Sequence, residues 1–177
     1  MSEEEMIKGC LKNDPLAQRT LYNRLGPKMM GVSLRYMMNT EEAQDVLQDG
    51  FVKVFDKLGG YSGSGSFEGW VRRIFVNTAL DAIRRNKNFK HQTQIDDVAF
   101  SLKSDDFIFE TLVAEDLMKM LQKLPLGYKT VFNLYAIEGY SHKEIAEKMN
   151  ITVSTSKSQF SRAKAVLREK ITELEKE

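Results

Sequence analysis

A segment near the C-terminus reads Glu138-Gly139-Tyr140-Ser141-His142-Lys143-Glu144-Ile145-Ala146-Glu147-Lys148-Met149-Asn150-Ile151-Thr152. Gly139 suits the left-handed position that ends a helix, and Ser141 with Glu144 has the spacing of a capping box. Asn150 can end the helix that begins after Ser141, and Thr152 or Ser154 can cap the next helix. Two short helices joined by a tight polar turn are typical of a DNA-binding helix-turn-helix, although an ordinary pair of surface helices has the same outline.

The second of these helices has distinct faces. At about 100° per residue, the inner face is predicted to carry Ser156, Phe160, Ala163 and Leu167. The outer face is predicted to carry Ser154, Ser158, Ser161 and Arg162, with Lys157 and Gln159 on the flanks. A polar, partly basic outer face is what a helix in the major groove requires.

The N-terminal half is also predicted to be helical, because strand signals are almost absent. Asp14-Pro15 has the composition of a helix start, and Gly26-Pro27 is expected to end one helix and begin another. Asn39 or Thr40 can cap a third helix, whose apolar residues recur at helical spacing: Ala43, Val46, Leu47, Gly50, Phe51, Val54 and Phe55. The opposite face of that helix carries Gln44, Asp45, Gln48 and Asp49. It is either a solvated surface or a docking face for a basic partner helix.

A glycine-rich loop and a basic helix follow. Residues 59–66 contain four glycines and three serines, but no strand precedes them and no Gly-Lys-Ser/Thr follows, so they are not a nucleotide-binding loop. They are either a flexible connector or a loop whose backbone approaches a ligand closely. The next helix has an apolar side and, on a different side, Arg73, Asn77 and Arg84. Residues 70–90 carry a net charge of +5, which is either a solvated basic face or a footprint for phosphates. Nearby aromatic rings also suit the stacking of unpaired bases.

Composition narrows the class of protein. The 177 residues contain one cysteine, Cys10, which excludes a disulfide framework and a multi-cysteine zinc site. The two histidines, His91 and His142, lack the spacing of metal ligands, so neither a metal nor a cofactor is expected. The acidic N-terminus is unlike a signal peptide, and no apolar run approaches a membrane span, so we expect a cytoplasmic protein without membrane insertion.

Charge divides the chain into blocks. Residues 1–90 carry a net charge of +3, residues 91–115 of −5 and residues 116–177 of +3. Helical periodicity is lost over the acidic segment, which has the composition of a flexible linker. We therefore predict an all-α protein in which two small helical domains, 1–90 and 108–177, are joined by an acidic linker over 91–107, the C-terminal domain being a helix-turn-helix.

Three motifs in this order resemble the sigma-70 family of RNA polymerase sigma factors, of the extracytoplasmic-function (ECF) type. The segment 42–55 is similar to region 2.2, which in the family docks on core polymerase. The segment 67–85 resembles regions 2.3 and 2.4, which open and bind the −10 element of a promoter. The segment 124–167 resembles region 4, which binds the −35 element. The resemblance covers about residues 3–90 and 108–172.

The resemblance implies three roles for specific residues. Core-polymerase contacts are implied for Asp45, Gln48 and Asp49. Contacts to the −10 element are implied for Ser62, Gly63, Ser64, Trp70, Arg73, Asn77, Arg84 and Arg85. Contacts to the −35 element are implied for Ser154, Thr155, Lys157, Ser158, Ser161 and Arg162. The implied partners are core RNA polymerase, promoter DNA and an anti-sigma factor, with no small-molecule substrate and no catalytic residue.

The chain departs from the family pattern at three positions. A branched apolar residue is usual where Ser156 stands, a basic residue is common where Gln159 stands, and Ser62 replaces a frequent arginine. Three other classes of protein are weighed against the sigma factor. A plain helix-turn-helix repressor or activator leaves the acidic face and the basic helix without a role. A small enzyme lacks a catalytic or metal-binding cluster, and a protein-binding helical adaptor needs no DNA contact.

Overall fold

The computed structural model describes residues 1–86 and 114–176, and these residues form helices and connecting turns with no strand. The chain divides into two compact units, Met1–Ala82 and Ile83–Glu177. The all-α prediction is therefore confirmed. The acidic linker predicted over 91–107 lies outside the described residues.

The N-terminal unit contains four helices: α1 (Glu3–Leu11), α2 (Pro15–Tyr36), α3 (Thr40–Lys57) and α4 (Phe67–Arg85), which continues a few residues beyond the division. The sequence signals at their ends operate as predicted. Asp14 caps α2 with Pro15 in the first turn, and the Asn39 side chain accepts a hydrogen bond from the backbone N–H of Glu42 at the start of α3. A 3-10 turn, Leu58–Gly60, ends the α3 region before the glycine-rich loop.

The predicted break at Gly26-Pro27 is wrong, because α2 runs through both residues. Proline at position 27 lacks the N–H that would bond to the fourth residue before it, and its ring crowds that residue's carbonyl, which together cost about 3 kcal/mol in a helix interior. Buried residues on both sides, Leu25 and Met29, hold the two halves of α2 against the same core. Tertiary packing therefore outweighs the local preference of the dipeptide.

An aromatic contact joins α3 to its neighbours in the core of this unit. The apolar stripe of α3 is confirmed: Ala43, Val46, Gly50, Phe51 and Val54 are buried, and Leu47 and Phe55 are half-buried. The Phe51 ring lies 4.8 Å from that of Tyr22 on α2 and 5.2 Å, edge to face, from that of Phe75 on α4. Aromatic pairs in these arrangements add to the free energy gained from burial. The packing of Phe51 therefore fixes the positions of α3 and α4, which carry the polar faces of the unit.

Residues 114–176 of the C-terminal unit form four further helices: α5 (Ala114–Gln122), α6 (Leu126–Phe132), α7 (His142–Met149) and α8 (Val153–Leu174). A π-helical turn, Asn133–Ile137, extends α6. The core cluster draws on α5, α6 and α8 and contains Met120, Leu121, Leu124, Phe132, Ala163 and Leu167. Because α8 runs through this core, its orientation is set by the helices around it.

Candidate nucleic-acid and protein interfaces

The turn between α7 and α8 forms as the sequence predicts. Glu144 and Ser141 make a reciprocal capping box: the Glu144 N–H donates to Ser141 Oγ at 3.2 Å, and the Ser141 N–H donates to Glu144 Oε2 at 2.8 Å. The bond from the Ser141 backbone lowers the pKa of the Glu144 carboxyl, because it stabilises the charged form. Gly139 has φ +78° and Asn150 has φ 53°, so both occupy the predicted left-handed positions. Of the two candidate caps for α8, Thr152 is the one that acts, by accepting a bond from the Thr155 N–H.

The inner face of α8 is confirmed, since Ser156, Ala163 and Leu167 are buried and Phe160 is half-buried. The outward orientation predicted for Ser158 is wrong. Its side chain is only 6% exposed, and its hydroxyl donates to the carbonyl of Ser154 at 2.9 Å. Gln159, predicted on the flank, is also buried, and it lies so close to Gly127 of α6 that a Cβ there would come within 2.8 Å of its Oε1.

A single wheel underestimates the buried sector of α8 because the helix packs against several partners at once. Thr155 is buried as well, at 3% exposure, in contact with its cap Thr152. Among the positions expected to bind the −35 element, Ser154 and Lys157 are exposed and Ser161 and Arg162 are half-exposed. These four residues are the accessible face of α8, and the contact of all six with DNA stays a prediction.

A groove at the start of α4 brings together three of the residues expected at the −10 element. Trp70, Arg73 and Asn77 line it, with Asp56, Lys57, Gly60 and Ile74. Arg73 and Asn77 are exposed, whereas Trp70 is half-buried because its ring stacks on Phe67 at 5.9 Å and tilts against Tyr61 at 5.3 Å. The sequence missed the contribution of Asp56, Lys57 and Gly60, because they reach the groove from the end of α3 through tertiary packing.

The glycine-rich loop leads directly into this groove. Ser62, Gly63 and Ser64 are exposed, and Gly63 and Gly65 adopt φ values of +74° and +81°, which other residues rarely adopt. The Tyr61 hydroxyl donates to the Gly65 carbonyl at 3.0 Å, so the ring that contacts Trp70 also ties back the loop. The loop and the groove thus form one surface at the N-terminal end of α4.

Further along α4, Arg84 and Arg85 are exposed, and Arg84 lies about 16 Å from Arg73 at the rise of an α-helix. The acid of this segment, Asp81, pairs with Lys53 of α3 at 3.2 Å. The carboxylate is thereby partly neutralised, and α4 carries four arginines against two acidic residues.

The polar face of α3 is exposed at Asp45, Gln48 and Asp49, opposite the buried stripe. Val52, one further turn along, is 55% exposed on the same face. An apolar side chain beside carboxylates is the composition of a small protein-docking surface. Residue spacing alone could have identified Val52 as part of this face.

Another contact was missed altogether. His142 Nδ1 lies 2.8 Å from Ser156 Oγ, and the imidazole stacks on Tyr135 with ring centroids 4.3 Å apart. Burial lowers the pKa of His142, and the charges of Lys157 and Lys164 lower it further. No sequence signal pairs residues fourteen positions apart across a turn.

In residues 1–86 and 114–176, no group of three or more His, Cys, Asp or Glu side chains is arranged to hold a metal ion. No helix within these same ranges has the length and apolar content needed to cross a membrane.

Comparison with known proteins gives two family matches and several full-length relatives. A model of sigma-70 region 2 matches residues 21–89, and a model of sigma-70 region 4 matches residues 114–167. The chain is 26% identical to the RNA polymerase sigma-H factor of Pseudomonas aeruginosa, over 93% of this chain and 91% of that protein. It is 27% identical to the ECF RNA polymerase sigma-E factor of Haemophilus influenzae, over 97% and 96% of the two chains. It is 26% identical to the ECF RNA polymerase sigma factor SigW of Bacillus subtilis, over 98% and 99%.

Among solved structures, the sigma factor RpoE of Bartonella quintana, crystallised with the anti-sigma factor NepR, has a similar fold. Its TM-score is 0.50 at 20% sequence identity, covering 87% of this chain and 96% of that one.

Proposed function

The chain belongs to the sigma-70 family of RNA polymerase sigma factors, in its ECF branch, and directs transcription initiation. We propose that its two units divide promoter recognition between them. The C-terminal unit binds the −35 element as a duplex, and the N-terminal unit opens and holds the −10 element. The division follows the domain limits 1–90 and 108–177, with 91–107 as connector. Sigma factors are initiation factors, so the work is binding and strand opening, carried out in the cytoplasm.

The accessible face of α8 supports the first half of the proposal. The major groove displays a distinct donor and acceptor pattern for each base pair, and Lys157 and Arg162 supply donors that suit guanine. Ser154 and Ser161 flank them with hydroxyls that suit phosphate or base edges. Each good base contact contributes about 1–3 kcal/mol of discrimination.

The observation that carries the second half is the groove at the start of α4. An unpaired base needs a flat aromatic surface for stacking, a polar group for its edge and a cation for its phosphate. Trp70, Asn77 and Arg73 provide these three on one groove, beside an exposed glycine-rich loop. Flipping a base costs a few kcal/mol, which these contacts offset. Arg84 and Arg85 continue the cationic track along α4.

Two protein partners complete the proposal. The exposed face of Asp45, Gln48, Asp49 and Val52 suits docking on a basic helix of core polymerase. An anti-sigma factor is proposed as a second partner, by analogy with the complex formed by the Bartonella protein.

A pair of templates separates the two halves of the mechanism. Initiation by core polymerase with the variants Trp70→Ala and Arg162→Ala would be assayed on a promoter that the wild-type holoenzyme has selected. One template is fully duplex, and in the other the −10 bases are already unpaired by mismatches. We expect the mismatches to restore initiation by Trp70→Ala, because opening no longer has to be driven. They should leave the Arg162→Ala defect in place, because the duplex contact is still missing.

The matched control is Lys176→Ala, which removes an exposed cation near the end of the described C-terminal residues. It should initiate like the wild type on both templates. Equal rescue of Trp70→Ala and Arg162→Ala by the mismatches would contradict the division of labour.

A further inference from the structure

The ring of His142 connects three elements of the C-terminal unit. It belongs to the first residue of α7, its Nδ1 lies 2.8 Å from Ser156 Oγ on α8, and its face stacks on Tyr135 of the π-helical turn at an interplanar angle of 13°. Phe160, one turn beyond Ser156, contacts the imidazole edge-on, with ring centroids 5.9 Å apart. The imidazole is thus oriented on one side by a tyrosine and on the other by the helix whose outer face carries Lys157 and Arg162.

The His142–Ser156 contact joins α7 to α8 at a second place, away from the turn between them. The turn at residues 150–152 already joins the C-terminal end of α7 to the start of α8. His142 lies at the opposite end of α7, about 12 Å away along an eight-residue helix. The bond is therefore a second, directional attachment between α7 and α8, in addition to the core packing that sets the overall orientation of α8.

The buried hydroxyl of Ser156 requires a hydrogen-bond partner. Its side chain is completely buried, and a buried polar group without a hydrogen-bond partner destabilises the arrangement that leaves it so. Apolar packing tolerates small rotations of a helix, but a hydrogen bond weakens steeply with distance and angle. The Ser156 hydroxyl therefore selects the rotation of α8 that brings it to the imidazole.

We propose that His142 is a positioning residue for DNA recognition: by bonding to Ser156 it sets the rotation of α8, and so the register of Lys157 and Arg162 on the promoter. This inference rests on the proposed binding of duplex DNA by α8. A helix with side chains has a radius of about 5–6 Å, so a 20° rotation moves its outer groups by about 2 Å. Base-edge hydrogen bonds do not survive such a shift.

The charge state of the ring is consistent with this role. The positive charges that act on the ring come from Lys157 and Lys164, both on α8. Burial and these two charges lower the pKa of His142 and so favour the neutral imidazole. A neutral imidazole forms the bond with a hydroxyl as donor or acceptor, according to its tautomer.

The variants that test the proposal separate hydrogen bonding from packing. His142→Phe keeps a flat ring against Tyr135 but loses the bond, and Ser156→Ala loses the other partner. His142→Asn places an amide where Nδ1 stood and should restore most of the effect. In the double variant His142→Phe/Ser156→Ala both partners are apolar, so no buried polar group is left unsatisfied. Lys143→Ala, exposed on α7, is the control.

The first measurement is promoter affinity of the holoenzyme, with DNA selected from a template library by the wild-type holoenzyme. The single variants should weaken binding by roughly threefold to tenfold, the range of one hydrogen bond. The double variant should recover thermal stability of the free chain but not affinity, because the directional constraint is still absent. Recovery of stability and affinity together would assign the contact a merely structural role and overturn the proposal.

The second measurement needs no promoter. Amide hydrogen exchange of the free chain over residues 153–160 should be faster in His142→Phe than in the wild type, and close to wild type in His142→Asn. Equal exchange in all three would overturn the proposal whatever the affinity results. Failure of the wild-type holoenzyme to select any promoter would instead reject the proposed function, and the exchange rates would still decide whether His142 holds α8.

Discussion

Adding one methyl group at Gly50, as Gly50→Ala, should disrupt the packing of the N-terminal unit. A Cβ built on Gly50 would lie 2.3 Å from Cε1 of Phe75, about 1.2 Å inside the usual carbon–carbon contact distance of about 3.5 Å. Phe75 is fully buried and packs edge to face on Phe51, so its ring cannot move without displacing the contact that joins α2, α3 and α4. Overpacking of this kind destabilises a core by about 1–3 kcal/mol.

The helical preference of alanine acts in the opposite direction, and a matched variant measures it. Gly→Ala in a helix interior stabilises by about 1 kcal/mol. Gly31 lies within α2 with no atom within 4 Å of a built Cβ, so Gly31→Ala should show that gain alone. Because the clash at Gly50 is severe, we expect a packing cost near 3 kcal/mol, and Gly50→Ala should be destabilised by about 2 kcal/mol net.

The protein contains a convenient reporter for this experiment. Its single tryptophan, Trp70, lies on α4, so urea unfolding followed by tryptophan fluorescence reports on the N-terminal unit. At a slope of about 1–2 kcal/mol per molar urea, Gly50→Ala should lower the midpoint by about 1–2 M. A midpoint for Gly50→Ala equal to or above that of Gly31→Ala would refute the packing of α3 against α4 described above.

Three further predictions concern the acidic face of α3 and the helix-turn-helix. Replacing Asp45 and Asp49 together by alanine should weaken binding to core polymerase at least tenfold, by the energetics of charged interface pairs, without changing the urea midpoint. The control Glu3→Ala on α1 should leave the affinity for core polymerase unchanged. Equal losses of affinity in the two variants would show that only the number of acidic residues matters, and not their place on α3. Ser141→Ala removes the cap of α7 and should destabilise the C-terminal unit by about 0.5–2 kcal/mol, measured by amide exchange over residues 142–167; unchanged protection would mean that the cap is not needed. Burial lowers the pKa of His142, so the unfolded chain binds the proton more readily, and stability of the C-terminal unit should be complete above the ordinary histidine pKa of about 6.5 and decline as the pH falls below it. The same exchange experiment at pH 7 and pH 5.5 should show this decline in the wild type and a smaller one in His142→Phe, and an identical pH profile for the two would contradict it.

The sequence predicted what local physics determines. Ser141, Glu144, Asn150 and Thr152 form their caps and turn from interactions within a few residues, and the apolar stripe of α3 follows from helical spacing alone. These features depend on the order of residues and on little else. The predicted helical class and the helix-turn-helix follow from them.

The misses share a tertiary cause. Gly26-Pro27 did not break α2, because buried residues on both sides outweighed the lost hydrogen bond and the crowding by the proline ring. Ser158 and Gln159 were predicted outside the core from a wheel with one buried face, but α8 contacts several helices. The His142–Ser156 bond and the contribution of Asp56 and Lys57 to the groove join residues that no local pattern relates.

The departure from the family pattern at Ser156 acquires a physical account. A branched apolar side chain at that position would fill space without direction, whereas the serine here lies 2.8 Å from an imidazole. Ser156 thus contributes a directional contact in place of apolar bulk. At Gln159, burial against Gly127 means that this side chain is not on the groove-facing surface.

Two separate modules of this chain are proposed to recognise a promoter once core polymerase holds both. Run-off transcription with purified core polymerase on a randomised template library tests this proposal. We expect discrete start sites that appear only when the chain is added, and the selected templates should share one motif upstream and another near the start. Transcripts identical with and without the chain, or selected templates that share a single motif, would contradict the account.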